Sequence, residues 1–126
     1  MTQRGGRQRF RRSDRLRSSK DYRRVSRDGV RMSSRSFVVL VAPQREADPG
    51  APPKLGITVS RRVGNAVVRA SVKRRLREWF RLHRDQLPVA RDLVVIARPA
   101  AAGLSAAEVD RELARALRRF SLVENQ

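Results

Sequence analysis

Ser60-Arg61-Arg62-Val63-Gly64-Asn65-Ala66-Val67-Val68-Arg69-Ala70-Ser71-Val72-Lys73-Arg74-Arg75-Leu76-Arg77-Glu78-Trp79-Phe80-Arg81 reads as the end of a strand, a glycine turn and one long helix. Apolar residues fall at Val68, Val72, Leu76, Trp79 and Phe80. Spacings of three and four place them on one stripe of a helix turning ~100° per residue. Arg69, Lys73, Arg74, Arg77 and Arg81 occupy the remaining arc, an almost unbroken cationic strip that only Glu78 interrupts. Like charges four residues apart weaken a helix by a few tenths of a kcal/mol per pair. A solvated face is the ordinary reading of a basic helix. Here the same sign recurs along the whole chain, which favours a polyanionic partner.

Composition points the same way. The chain has 126 residues, the size of one domain with a modest core. Thirty basic residues against twelve acidic give a net charge of +18, and only Lys20, Lys54 and Lys73 among the basic residues are lysine. Arginine pairs bidentately with phosphate and stacks on bases. So large a charge repels itself in the folded monomer and is relieved by a polyanion. Nucleic acid is the first candidate and an anionic membrane surface the second. There is no cysteine, so disulfides and cysteine metal sites are excluded. No run approaches the ~20 apolar residues of a membrane span, and no apolar segment follows the basic N-terminus. A soluble, cytoplasmic protein is expected.

Outward from the central stretch, residues 54–60 alternate: Leu55, Ile57 and Val59 on one side, Lys54, Gly56, Thr58 and Ser60 on the other. That pattern predicts a half-buried strand with one open, hydrophilic face. The run from Leu93 to Ala97, ended by Pro99, predicts a buried central strand. Residues 36–42 predict another strand, ending at Pro43, and 44–53 a loop rich in proline. Ser18, with Asp21 three residues later, predicts a short helix over 18–27 with a weak capping box, Tyr22 and Val25 on its apolar face and Gly29 as its stop. Ser105 and Glu108 form a full capping box before Val109, Leu113, Leu117 and Phe120. The helix, strand, strand, helix, strand, helix order predicts a two-layer α/β (α+β) sandwich: a small mixed sheet with a β-α-β crossover and helices packed on it. Residues 1–14 are expected to form a disordered basic arm, 15–122 the domain and 123–126 a short tail.

Catalytic chemistry is missing from the pattern. His83 is the single histidine, and a helix-terminal dipole contact is its expected role. No carboxylate pair, metal-ligand set, phosphate loop or nucleophile–base constellation is present, so catalytic and metal residues are both read as none. The residues describe a binding protein whose catalysis, if any, lives in its partner.

Arg61-Arg62-Val63-Gly64-Asn65-Ala66-Val67-Val68-Arg69, followed by Val72-Lys73-Arg74-Arg75-Leu76-Arg77-Glu78, resembles the signature of the protein subunit of bacterial ribonuclease P. Arg15 to Val25, Ser36 to Leu40 and Val94 to Pro99 resemble its first helix and two of its strands, so the likeness spans roughly residues 15 to 121. The resemblance implies a left-handed crossover and a protein cofactor of a catalytic RNA that removes the 5′ leader from precursor tRNA. It implies RNA contacts from Arg61, Arg62, Asn65, Arg69, Lys73, Arg74, Arg75 and Arg77. It also implies a leader cleft formed by Tyr22, Arg23, Ser26, Arg27, Leu40, Thr58 and Ser60. Mg2+ would be held mainly by the RNA, with none bound tightly by the protein alone. The expected partners are the ribonuclease P RNA and precursor tRNA, with no membrane and no small-molecule cofactor. Two departures stand out. Ala70 and Ser71 replace the family's asparagine and second arginine, and Ser26 and Leu40 stand where aromatic residues are usual. The alternative is a general RNA-binding or ribosomal protein without a cleavage partner. A DNA-compacting protein would need a minor-groove wedge, for which only the N-terminal arm could serve.

Overall fold

The computed structural model describes residues 9–16 and 18–124. Its regular elements are α1 (Ser19–Asp28), β1 (Val30–Ser33), β2 (Phe37–Pro43), β3 (Lys54–Val59), α2 (Ala66–His83), β4 (Arg91–Ala97) and α3 (Ala106–Glu124). The strands form one sheet in the order β1–β2–β4–β3. β1 and β4 run antiparallel to β2, and β3 runs parallel to β4. α2 therefore connects two neighbouring parallel strands, and the expected mixed sheet with its β-α-β crossover is present.

Alternation along β2 divides the interior. Phe37, Val39 and Val41 join Leu55, Leu93 and Val95 beneath α2 and α3. Val38, Leu40 and Ala42 join Val94 beneath α1 and Leu16 on the opposite face. The larger layer is closed by Val72, Leu76, Trp79 and Phe80 of α2, and by Val109, Leu113, Ala116 and Phe120 of α3. α2 shows the apolar stripe read from the sequence, with Val68 half-buried at its start.

Local detail differs from or adds to expectation in five places. Ser18 caps α1 through Lys20 N–H, while Asp21 pairs with Arg24 and does not reach back, so the weak capping box is only half formed. Gly29 stops α1 in an extended conformation, φ −77° and ψ 154°. Its glycine is required by close approach, since a Cβ would lie 2.5 Å from Val25 O. β1 was not expected; four residues between Gly29 and a serine-rich turn are too short for a periodic signal. Residues 9–14, assigned to the arm, pack on the domain: Phe10 meets Phe80 edge-on with ring centroids 5.6 Å apart, and buried Asp14 pairs with Arg84 at 2.7 Å. The arm over 1–8 lies outside the described residues. The helix α3 reaches Glu124, into the expected tail, and its Ser105–Glu108 capping box closes at 3.2 and 2.8 Å.

Candidate nucleic-acid interface

The interface begins at the turn between β3 and α2. Gly64 has φ 157° and ψ −169°, a region essentially restricted to glycine, and a Cβ there would lie 2.8 Å from Val68 Cβ. Asn65 Oδ1 accepts from Val68 N–H at 3.0 Å, so this side chain caps the helix. Arg69 Nε donates to Gly64 O at 3.1 Å and is held against the turn. Arg61 and Arg62 are exposed on the single 3₁₀ turn Arg61–Val63 just before it. Three arginines thus lie on the first turn of α2 or on the 3₁₀ turn just before it.

Along α2 the cationic residues separate into sets, and the strip is less continuous than the sequence implied. Lys73 and Arg77 face a groove of about 340 Å³ that Phe10, Arg15, Tyr22 and Ile57 also line. Burial, together with the charges of Arg15 and Arg74, pushes the Arg77 guanidinium down from the ordinary arginine range. Such crowding without a carboxylate is relieved when a phosphate enters. Arg74 is exposed. Arg75 lies on the other flank beside Trp79, where its Nη1 donates to Ser71 Oγ at 2.9 Å. Arg81 is paired with Glu78. The residue in place of the family's second arginine therefore orients Arg75.

The second part of the interface is the sheet face that α1 covers incompletely. Pairing aligns Gly56, Val94, Leu40 and Arg31 in one row, and Thr58, Ile96, Val38 and Ser33 in the next. Ten helical residues span ~15 Å, against ~23 Å for a seven-residue strand. In the first row Gly56, Val94 and Leu40 are buried and Arg31 is exposed; in the second Val38 is buried, but Thr58 is exposed and Ile96 half-buried. Tyr22 lies over Gly56, where a Cβ would come within 2.7 Å of the ring, and its hydroxyl accepts from Ile57 N–H at 3.1 Å. Arg24 fixes α1 in place. Its Nη2 pairs with Asp21 and with buried Asp92 at the start of β4, and its Nη1 donates to Pro43 O at 2.6 Å.

Four of the expected cleft residues, all on α1, share one depression, which Thr58 and Ser60 do not line. Tyr22, Arg23, Ser26 and Arg27 line a shallow depression of about 450 Å³, with Thr58 and Ser60 exposed on β3 and just beyond it. Arg27 also holds Asp28 at 2.9 Å, an exposed pair that a phosphate can displace at little cost. Leu40 does not belong to the cleft. At 3% exposure it is buried beneath α1 with Val25, so it cannot offer a surface to a base. The uncovered apolar residue on this face is Ile96. Sequence reading missed it because a strand apolar on both faces does not reveal which end its covering helix leaves open. Phe10 and Arg15 were missed as partners of Lys73 and Arg77 because their proximity comes from docking of the N-terminal segment.

His83 does more than meet a helix dipole: Nδ1 lies 2.9 Å from Trp79 O and Nε2 lies 3.0 Å from Asp110, joining the end of α2 to the start of α3. Among the described residues no group of three or more His, Asp or Glu side chains is arranged to hold a metal ion. No described helix is long and apolar enough to cross a membrane.

Comparison with known proteins agrees with this geometry. The family model described as Ribonuclease P matches residues 10–121. The ribonuclease P protein component of Syntrophobacter fumaroxidans is 45% identical over 109 residues, covering 86% of this chain and 88% of the relative. A Staphylococcus aureus RNase P protein mutant with defective mRNA degradation activity superposes with a TM-score of 0.78 at 33% identity, covering 86% of this chain and 89% of that one. The RNase P protein from Thermotoga maritima gives 0.73 at 30% identity, covering 83% and 96%. Sequence and fold agree over nearly the whole described chain, which therefore belongs to the ribonuclease P protein family.

Proposed function

We propose that this chain is the protein cofactor of a ribonuclease P ribonucleoprotein, an endoribonuclease that removes the 5′ leader from precursor tRNA in the cytoplasm. The observation that carries the reading is the position of Tyr22, between the groove of Lys73 and Arg77 and the depression of Arg23, Ser26 and Arg27. A single strand running from α2 to α1 would cross this ring. Its phosphates would meet cations on both sides, and a base could stack at the centre, the usual construction of a single-strand path.

In this reading Arg61, Arg62, Arg69 and Arg74 bind the catalytic RNA, and the cleft holds the leader. The protein contributes substrate affinity, while hydrolysis and most of the Mg2+ belong to the RNA. Where the family has asparagine and arginine, Ala70 and Ser71 leave Arg75, oriented by Ser71, to share the lost contacts. Recruitment of metal ions would act through the RNA phosphates that these arginines position.

The test is reconstitution. Added to a bacterial ribonuclease P RNA at low magnesium, the protein should restore cleavage of precursor tRNA at the mature 5′ end. Cleavage by the protein without RNA, or RNA binding with no restored cleavage, would overturn the proposal.

A further inference from the structure

The helix α3 carries a second concentration of arginine that the interface above does not use. Arg111, Arg115 and Arg119 lie at successive four-residue steps, on one stripe of the helix. Together with Arg35 they surround a recess of about 590 Å³ between α3 and the turn joining β1 to β2. Glu108 and Glu112 also line the recess, but the acids of this helix up to residue 112 each hold a hydrogen-bonding partner other than these arginines. Glu108 accepts from Ser105 N–H in the capping box. Asp110 meets His83. Glu112 takes the Ser34 hydroxyl and Ser36 N–H, the latter at 2.6 Å. Arg119 is partly committed too, donating to Ser33 O at 2.7 Å across the recess. Arg35, Arg111 and Arg115 are exposed, and no carboxylate pairs with them within salt-bridge distance among the described residues.

We infer that this recess is a second binding site for RNA phosphodiester backbone, with Arg35, Arg111 and Arg115 as its phosphate contacts. Its position gives it a distinct role. β1 and β3 are opposite edges of the sheet, three strand spacings apart, or ~14 Å. Tyr22, Lys73 and Arg77 serve the β3 edge, while the recess opens at the β1 edge. One protein can therefore hold two RNA segments at once, the first along α2 and the cleft, the second on α3. The recess is built to keep its shape when occupied. Glu112 and Arg119 tie the turn to the helix, leaving the other arginines to reach outward. The inference rests on the RNA-binding reading above and extends it to a face that reading leaves unused.

The test uses the full chain and a bacterial ribonuclease P RNA. Arg111→Ala/Arg115→Ala removes two cations that make no hydrogen bond within the described protein, and Arg111→Lys/Arg115→Lys retains their charge. Each phosphate contact contributes ~0.7–0.9 to the slope of log K against log salt. The alanine pair should flatten that slope by ~1.5 and weaken binding by roughly 20-fold at 0.15 M salt, by counterion release alone. The melting temperature should not change, and the lysine pair should recover most of the affinity. An unchanged slope and affinity in the alanine pair, with Arg74→Ala still weakening binding, would sink the α3 site and leave the α2 interface standing. Failure of the unmodified protein to bind the RNA would remove both.

Discussion

Removing the ring of Tyr22 separates two roles that the structure gives to one residue. Its hydroxyl accepts from Ile57 N–H, and the phenol end rests on Gly56. Tyr22→Phe deletes only the acceptor. An unsatisfied buried donor costs about 1–3 kcal/mol, and because Ile57 is half-buried water can partly compensate, which places the loss of stability near ~1 kcal/mol. The ring remains, so affinity for the leader should stay within about twofold, well inside 1 kcal/mol. Tyr22→Ala removes the ring as well. Base stacking on an aromatic side chain is worth ~1–3 kcal/mol. With one end of the ring already occupied, ~1–2 kcal/mol is expected, roughly a 5- to 30-fold loss. The assay is affinity of the reconstituted complex for precursor tRNAs with leaders of increasing length and for mature tRNA, at a temperature where circular dichroism shows both variants folded. The alanine variant should lose the gain that a longer leader brings and bind mature tRNA normally. The part carried by Arg23, Arg27 and Arg61 should fade with salt by ~0.7 in log K per log salt for each phosphate contact. If the alanine variant keeps the full gain, or phenylalanine does as much harm as alanine, the leader does not cross this ring.

Other substitutions test the frame around the interface. Leu76 is fully buried, so Leu76→Ala should destabilise the fold by ~2–5 kcal/mol in urea melts, whereas exposed Arg74→Ala should weaken RNA binding without moving the melt; the opposite pattern would mean that α2 is rotated. At Gly64, alanine meets both a glycine-only conformation and Val68, and a loss of at least ~1–3 kcal/mol is expected; an unchanged urea midpoint would contradict the turn geometry. Burial opposes ionisation of Glu112, but hydrogen bonds from Ser34 and Ser36, with Arg115 nearby, outweigh it and hold the carboxyl below the ordinary glutamate value. A lowered folded-state pKa contributes stability above the unfolded value, ~4.3, that is lost as pH falls through the folded one. The stability gap between the unmodified protein and Glu112→Gln should therefore be larger at pH 7 than at pH 3, and an equal gap at both would refute the assignment.

Elements whose signals are local could be read from the sequence alone. The stripe of α2, the Ser105 cap, the alternation of β3 and the apolar run of β4 depend on neighbours a few residues away, and all were legible; the Asn65 cap is just as local but was read only as an RNA contact. Charge was legible too, since +18 on 126 residues favours a polyanionic partner whatever the fold. The tertiary structure alone decided which of these residues meet. Leu40 and Ile96 are similar apolar residues on adjacent strands. One is buried beneath α1 with Val25 and the other is half-open at the margin of the same cluster. Phe10 and Arg15 join Lys73 and Arg77 because a buried Asp14–Arg84 pair docks a segment 70 residues away in the chain. Arg111 and Arg115 have no salt-bridge partner among the described residues because Glu108, Asp110 and Glu112 bond instead to Ser105, His83 and the Ser34–Ser36 turn. Periodicity records which side of an element is apolar. What covers that side, and where the cover stops, is set by contacts between residues far apart in sequence, which no local pattern contains.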